Sequence, residues 1–438
     1  MKKVKRSLIA LVCLSLILIS WAIATNSKSA ADRQLALIEE ALLLLEDRIF
    51  VRASSLLEEA VAFNAEHTPY AESLLKETYL ALIDKQGYRR KYTELLDAQM
   101  SRKDAEAAIF LEAAEYYLGV PNLREALSCL KEGMQKTGSG ILEEKYEKSR
   151  YVYETGRDIY DYASEITDST VKVCVDGKWG ISKSDGSPMI PCRYERISTF
   201  SSGRAIVGDS GEIFAVDKDD NRVAKLHAEA EDFGNYANDR VPLKIEGSWL
   251  RATGDFALGS AVFEDMSMYS GGYVAACING KWGVIDIDSG WLLPAEYDGV
   301  ICDELGRCHY MGSVFAVAGD EVLLFVNGAR VGGVFEDARP FSDGGLAAVK
   351  KDGYWGFIDM QGNVVIPYYY DDALSFGQHL AAVRIDDFWG YVSVSGEVVI
   401  EPIYYEAKSF SGGSAPVLTE RGWQFITLAE YKSGPGLF

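Results

Sequence analysis

Histidine is scarce in this chain, with only four residues among 438, at positions 67, 227, 309 and 379. None lies in a His-Glu-x-x-His metal motif, and none neighbours a serine or cysteine in a known nucleophile motif. The sequence also lacks a Gly-x-Ser-x-Gly elbow, a phosphate-binding loop and a dinucleotide-binding glycine pattern. We therefore predict no catalytic residues, no metal site and no cofactor, and we predict that the protein is not an enzyme.

Cysteine is also sparse, with seven residues scattered along the chain and no Cys-x-x-Cys pair. This excludes the usual zinc-binding and redox signatures. Cys302 and Cys308 form the closest pair in the sequence. The spacing alone leaves open whether these two residues are bridged or are buried free thiols.

Positive charge is in short supply after the first residues. The chain has 44 basic and 65 acidic residues, and residues 1–24 hold four of the basic ones and no acid. The remainder therefore carries 40 basic and 65 acidic residues, a formal charge of −25. This excess of acid argues against a nucleic-acid partner and against charge-driven docking on anionic lipid.

The N-terminal segment predicts export. Residues 1–6 carry four basic residues, and residues 7–24 form an uncharged apolar run that ends in Ala22-Ile23-Ala24. This form fits a secretory signal cleaved near Ala24, and it also fits an uncleaved membrane anchor over residues 7–24. Either alternative places the rest of the chain outside the cytoplasm, with membrane contact only through this segment.

A repeated phrase dominates the second half of the chain. Asp-Gly-Lys-Trp-Gly at 176–180 returns in related forms at 279–283, 352–356 and 386–390, and a degenerate copy lies at 421–424. Anchor positions recur every 32 to 35 residues, except for a longer step between 282 and 323. Such periodicity indicates a repeat architecture, here with eight units of unequal regularity.

Each unit reads as a three-stranded meander. In residues 346–379, turn residues at 352–353 and 361–362 separate three short apolar strands, and a connector follows Pro367. We expect the Trp to be buried between units and the Gly to let another backbone approach closely. The connector carries Pro, then Tyr three residues later, then an acid, and this recurrence suggests a structural turn or cap. The predicted structural repeat residues are Trp179, Gly180, Trp282, Gly283, Trp355, Gly356, Trp389, Gly390, Trp423, Tyr194, Tyr297, Tyr370 and Tyr405.

These residues resemble the WG-repeat family, also called KWG repeats, over roughly residues 171–431. The resemblance implies a β-rich repeat that serves protein interaction and has no established catalytic residues. The sequence leaves open whether the units form an open spiral or a propeller-like ring.

The segment before the repeats has a helical period. Helix starts near 36, 70 and 104 are each followed by a second amphipathic run, which resembles tetratricopeptide (TPR) helix pairs. A last helix is predicted over residues 141–163. We therefore expect a multidomain α plus all-β protein, with residues 1–24 as signal or anchor, a TPR-like helical domain at 25–165 and a WG-repeat β domain at 166–438.

The function expected from this organisation is a non-enzymatic, extracytoplasmic scaffold that binds another protein. The alternative is a cell-envelope enzyme, acting on carbohydrate or by another hydrolysis, whose carboxylates are hidden in the degenerate repeats.

Overall fold

A computed structural model describes residues 29–120, 122–225, 229–253, 255–286 and 290–431. The apolar segment 7–24, predicted as a signal or an anchor, lies outside these residues. Among the helices that are described, none is both long and apolar enough to cross a membrane. The chain divides into two compact units, one ending at Tyr146 and the other beginning at Glu147.

The first unit is helical, as predicted. Its helical segments are α1 at 29–46, α2 Phe50–Ala62, α3 Thr68–Ala81, α4 Tyr88–Met100, α5 Ala107–Gly119, α6 Leu123–Thr137 and α7 Gly140–Ser149, the last crossing the boundary. Pro69 lies in the first turn of α3, where its missing amide hydrogen costs no helical bond. Gly138 ends α6 with φ of 64°. These helices are consistent with TPR-like pairs.

Small residues let the helices of this unit pack closely. A Cβ atom at Gly133 of α6 would lie 2.6 Å from Phe110 Cβ of α5 and 2.6 Å from Leu142 Cδ1 of α7. Ala113 and Ala114 of α5 are fully buried in the same core. The apolar period read from the sequence therefore marks the faces that pack together.

The predicted last helix over 141–163 is wrong beyond Ser149. The chain leaves the helix and forms strand β1, Tyr153–Thr155, and then strand β2, Tyr162–Ala163. Both strands belong to the β unit, so the boundary lies near residue 147 and not near 165. Backbone pairing with distant strands outweighs the local helical pattern here.

The second unit is an eight-bladed β-propeller of four-stranded antiparallel sheets. Blade 1 contains β2, β3 Thr170–Val175, β4 Lys178–Lys183 and β5 Pro188–Tyr194, and blade 2 contains β6 Arg196–Ile197, β7 Arg204–Asp209, β8 Glu212–Asp217 and β9 Arg222–Lys225. Blade 3 contains β10 Ala230–Phe233, β11 Arg240–Ile245, β12 Ser248–Thr253 and β13 Leu258–Phe263, and blade 4 contains β14 Asp265–Met266, β15 Tyr273–Ile278, β16 Lys281–Asp286 and β17 Trp291–Tyr297.

Blade 5 contains β18 Gly299–Val300, β19 Ser313–Ala318, β20 Glu321–Val326 and β21 Ala329–Phe335, and blade 6 contains β22 Asp337–Ala338, β23 Ala347–Lys351, β24 Tyr354–Ile358 and β25 Val364–Tyr370. Blade 7 contains β26 Asp372–Ala373, β27 Leu380–Ile385, β28 Phe388–Ser393 and β29 Val398–Tyr404. Blade 8 contains β30 Glu406–Ala407, β31 Ser414–Thr419 and β32 Gly422–Leu428, and β1 completes it. A short 3-10 helix, Ala429–Tyr431, follows. The ring alternative is therefore the correct one.

Each blade contains the predicted meander and one further strand. This extra strand is the first of its blade, and in seven of the eight blades it is two residues long. Because the strands alternate in direction, the loops after the first and third strands share one face of the ring. We call this the loop face, and we call the opposite face, with the turns between the second and third strands, the hairpin face.

The ring is closed by a strand from the start of the β unit. Strand β1 pairs with β32, with Tyr153 opposite Leu428 and Thr155 opposite Ile426. Tyr160 then pairs with Trp423, its amide donating to the Trp423 carbonyl at 3.0 Å and its carbonyl accepting in return at 2.9 Å. Blade 8 is thus built from both ends of the unit.

Candidate functional site

In blades 1, 4 and 6, the repeat tryptophan pairs with the repeat tyrosine of the same blade. Trp179 lies opposite Tyr194 on neighbouring strands, and the same register places Trp282 opposite Tyr297 and Trp355 opposite Tyr370. Trp355 and Trp423 are each 3 % exposed. The core around Trp355 combines residues of blades 6 and 7. The ring of Trp355 is therefore buried between units as expected, whereas Trp179 and Trp282 are only half-buried.

The glycine after each tryptophan faces a bulge in the neighbouring strand. A Cβ atom at Gly180 would lie 2.4 Å from the Ile190 carbonyl oxygen, and one at Gly283 would lie 2.5 Å from the Leu293 oxygen. Gly356 and Gly390 face the Ile366 and Ile400 carbonyls at 2.8 and 2.5 Å. The Gly therefore permits a close backbone approach, as predicted, and the approaching backbone is the bulged fourth strand of its own blade.

The spacing rule chose the wrong tyrosine in blade 7. Trp389 pairs with Tyr404, which is buried, whereas Tyr405 is half exposed. The cause is the position of Pro402, one residue later in its strand than Pro367 is in blade 6. A rule that counts from the proline therefore selects the neighbour of the paired residue.

Acidic residues between neighbouring blades cap hairpin turns on the hairpin face. An oxygen of Asp298 accepts from the Gly319 amide at 2.8 Å, and Glu264, at the same place in blade 4, accepts from Asn279 and Gly280. Glu336 accepts from Gly353 in the same way. Among the acids of the predicted connector motif, Asp298 therefore acts as a cap, and Glu264 and Glu336 do so in units that lack the Pro and Tyr of the motif.

One loop on the loop face is unlike the others. The loop between β18 and β19 spans residues 301–312, twelve residues, whereas six of the other blades have six residues there and blade 6 has eight. We call residues 301–312 the plug, because they contact blades on other sides of the ring. The Leu305 carbonyl accepts from Asn235 of blade 3, and the Gly306 carbonyl accepts from Met268 of blade 4.

Glu304, at the tip of the plug, joins blades 1 and 8. Its carboxylate accepts from Lys408 Nζ at 2.6 Å, from the Tyr162 hydroxyl at 3.1 Å and from the Glu165 amide. The Glu165 carboxylate in turn accepts from the Ser409 amide at 3.1 and 3.2 Å. These bonds join the plug to the two blades that meet at the closure of the ring.

Burial shifts the pKa of several groups around the plug. Burial, assisted by the nearby Glu304 carboxylate, raises the pKa of Glu165 to about 7. Burial lowers the pKa of Lys172 to about 8, and Glu304 opposes this shift. Burial also disfavours the charge of Lys408, but Glu304 and Glu406 outweigh it and raise the Lys408 pKa. The plug therefore stabilises Lys408 as a cation and disfavours the Glu165 carboxylate.

A cavity of about 250 Å³ opens beside the plug on the loop face. Glu165, Arg307, His309 and Arg339 contribute to its lining. The guanidinium of Arg307 pairs with Asp303 at 2.5 Å, and that of Arg339 pairs with Asp337 at 3.1 Å. His309 accepts from the Gly312 amide through Nε2, and burial lowers its pKa. The cations of the cavity are thus neutralised by internal partners.

Five stretches of the chain match a family profile described as "WG containing repeat". They are residues 179–211, 260–282, 333–355, 355–387 and 389–423. The chain is a WG-repeat protein. The longer matches begin at Trp179, Trp355 and Trp389, the residues around which the blades are built.

Solved structures similar to this WG-repeat protein have low sequence identity to it. A crystal structure of a eukaryotic initiation factor has 10 % identity and a TM-score of 0.39, and the match covers 65 % of this chain and 89 % of that one. The β-propeller domain of Cps50 (Swd1) from Myceliophteria thermophila has 12 % identity and a TM-score of 0.35, and the match covers 55 % of this chain and 99 % of that one. The extracellular domain of the one-component system BT4673 from B. thetaiotaomicron has 6 % identity and a TM-score of 0.32, and the match covers 62 % of this chain and 40 % of that one. No curated protein matches the chain.

Sequence reasoning missed the plug of this WG-repeat protein. The signal was the 41-residue step between Trp282 and Leu323, which exceeds every other step between repeats. That step shows that residues were added but not where they go. In the described part of the chain, no group of three or more metal-binding side chains is present, and Cys302 and Cys308 are free thiols.

Proposed function

We propose that this WG-repeat protein is a non-enzymatic, extracytoplasmic scaffold that binds another protein through its propeller. The observation that carries the proposal is the plug. Because residues 301–312 reach across the ring and their charged groups bind internal partners, the middle of the ring offers little free chemistry to a small substrate. Binding then falls to the outer surfaces of the blades, as in other repeat proteins.

An exposed aromatic patch supports a protein partner. Phe388 and Tyr405 form the patch and are at least 40 % exposed, and Tyr354 and Tyr369 of the neighbouring blade 6 are each about half exposed. Phe388 and Tyr405 contact each other with ring centroids 5.7 Å apart. The positions of Tyr354 and Phe388 are occupied by lysine in blades 1 and 4. Clustered exposed aromatic side chains are typical of protein-binding surfaces.

The charge of the β unit favours a basic partner. Residues 147–438 contain 25 basic and 44 acidic residues. An acidic surface attracts basic partners over a distance of about 10 Å at moderate salt. The location outside the cytoplasm rests on the apolar run at residues 7–24 and its basic flank.

The hydrolytic alternative has one observation in its favour. Glu165 lines the cavity beside the plug, and its pKa of about 7 would suit a general acid. Its carboxylate is already held by the Ser409 amide, however, which is the geometry of a structural group.

The test is a crosslinking pull-down from intact cells with the full chain. A Phe388→Glu, Tyr405→Glu variant should lose the crosslinked protein, because charge replaces the aromatic contact. The control is Val223→Glu, an exposed apolar residue of blade 2, which should retain it. Equal capture of the partner by the wild type, the Phe388→Glu, Tyr405→Glu variant and the Val223→Glu control would rule out this surface as the binding site. A hydrolytic activity that Glu165→Gln abolishes, in a variant that still folds, would favour the enzyme.

A further inference from the structure

Cys302 and Cys308 lie at the neck of the plug. Between these two cysteines, the Asp303 amide donates to the Arg307 carbonyl at 2.9 Å, and the Gly306 amide donates to the Asp303 carbonyl at 2.9 Å. Gly306 has φ of 89°. These are the features of a hairpin with a three-residue loop that ends in a left-handed glycine. The tip of the plug is therefore a tight hairpin with Asp303 and Arg307 as its closing pair.

The register of this hairpin places the two cysteines opposite each other. They are the next pair outward from Asp303 and Arg307. In an antiparallel pair, the residues next to a hydrogen-bonded pair have Cα atoms about 4.5 Å apart. Disulfides join Cα atoms separated by about 4.4–6.8 Å. Both side chains also pack in one apolar cluster between blades 4 and 5.

We propose that Cys302 and Cys308 are a disulfide site that closes the neck of the plug covalently. The structure describes the reduced form, with both thiols free. The proposal goes beyond the scaffold function and does not depend on it, because it concerns only the hairpin and an oxidant.

The reaction is thiol–disulfide exchange with a disulfide-bearing oxidant. Cys302 is the more exposed of the two residues, so its thiolate attacks the oxidant and releases one thiol. The Cys308 thiolate then attacks the mixed disulfide at the Cys302 sulfur and releases the second thiol. The two cysteines lose two electrons and two protons, and the oxidant disulfide gains them.

Exchange should be slow in the folded protein. Contact with Cys308, together with burial, raises the pKa of Cys302 and so reduces its thiolate fraction. The bond is therefore expected to form mainly while the chain folds in the presence of the oxidant.

The experiment is refolding of the full chain in an excess of oxidised glutathione, followed by alkylation and trypsin digestion without reductant. Cleavage after Lys281, Arg307 and Arg330 separates the two cysteines. The proposal predicts that peptides 282–307 and 308–330 are joined, and that dithiothreitol separates them. Recovery of both peptides alkylated, or joined to other cysteine peptides, would overturn it.

A stability measurement gives a second readout. The oxidised wild type should unfold about 3–8 °C above the reduced protein. The control Cys277→Ser should keep this difference, and Cys302→Ser should lose it. Retention of the difference in Cys302→Ser would show that another pair of cysteines is responsible.

Discussion

Glu304 and Lys408 form an ion pair at 2.6 Å between the plug of blade 5 and the first residue after a strand of blade 8. The two residues are 104 positions apart in the sequence. The Lys408 side chain is 9 % exposed and the Glu304 side chain 25 %, so water screens the pair only in part. The pair links one side of the ring to its closure.

Glu304→Gln should therefore destabilise the propeller. The substitution leaves a buried lysine with Glu406, at 2.9 Å, as its remaining carboxylate partner. We expect a loss of about 1–3 kcal/mol in the free energy of unfolding, measured by urea denaturation. Glu321→Gln, at an exposed hairpin, is the matched control and should change little. An unchanged free energy of unfolding in Glu304→Gln would mean that the plug does not stabilise the ring.

Trp355→Ala should cost about 3–5 kcal/mol, because it removes a buried ring from the contact between blades 6 and 7. Trp291→Ala, at a residue that is 40 % exposed, is the control and should cost much less. Thermal unfolding followed by circular dichroism should show earlier loss of the β signal, while the helical signal persists. Equal stability of the two variants would contradict the core role of Trp355.

Gly390→Ala should destabilise the protein by about 2 kcal/mol or more, since its Cβ would lie 2.5 Å from the Ile400 oxygen and 2.7 Å from the Pro402 nitrogen. Gly333→Ala is the control, because no atom lies within 4 Å of its added Cβ. Midpoints of chemical unfolding would measure both changes. Similar midpoints would show that the bulge can move away.

Glu165 should make stability fall as pH rises. Its pKa is about 7 in the folded protein against an ordinary 4.5, so its contribution is complete below 4.5 and is lost as pH rises through 7. Relative to Glu165→Gln, the wild type should lose about 3 kcal/mol over this range. Urea denaturation at several pH values measures the difference. A constant difference between the two proteins would contradict the raised pKa.

The sequence was sufficient for the regular parts of the fold. Helices α3 and α5 begin within three residues of the predicted starts near 70 and 104, because their apolar period and their breakers are local. The Trp-Gly phrase likewise predicted its own packing, since Gly356 and its equivalents face a backbone only one strand away.

The remaining features depend on distant contacts. Residues 150–163 carry no local signal for their pairing with β32, so a helix was predicted there. Tyr404 was missed because the rule counted three residues from the proline, and Pro402 lies one residue later in its strand than the equivalent prolines of the other blades. The plug was visible only as extra length, because its partners Lys408 and Glu165 are set by the closed ring.

The closure of blade 8 also sets the order in which the ring can be completed during synthesis. Strand β1 leaves the ribosome before any blade, but its partner β32 is translated more than 250 residues later. Until then β1 has an unpaired edge, which is a hazard for aggregation. A chain that stops early leaves both edges of the unfinished ring open. Only translation through β32 gives β1 its partner and completes blade 8, so a chain that stops before β32 cannot close the ring.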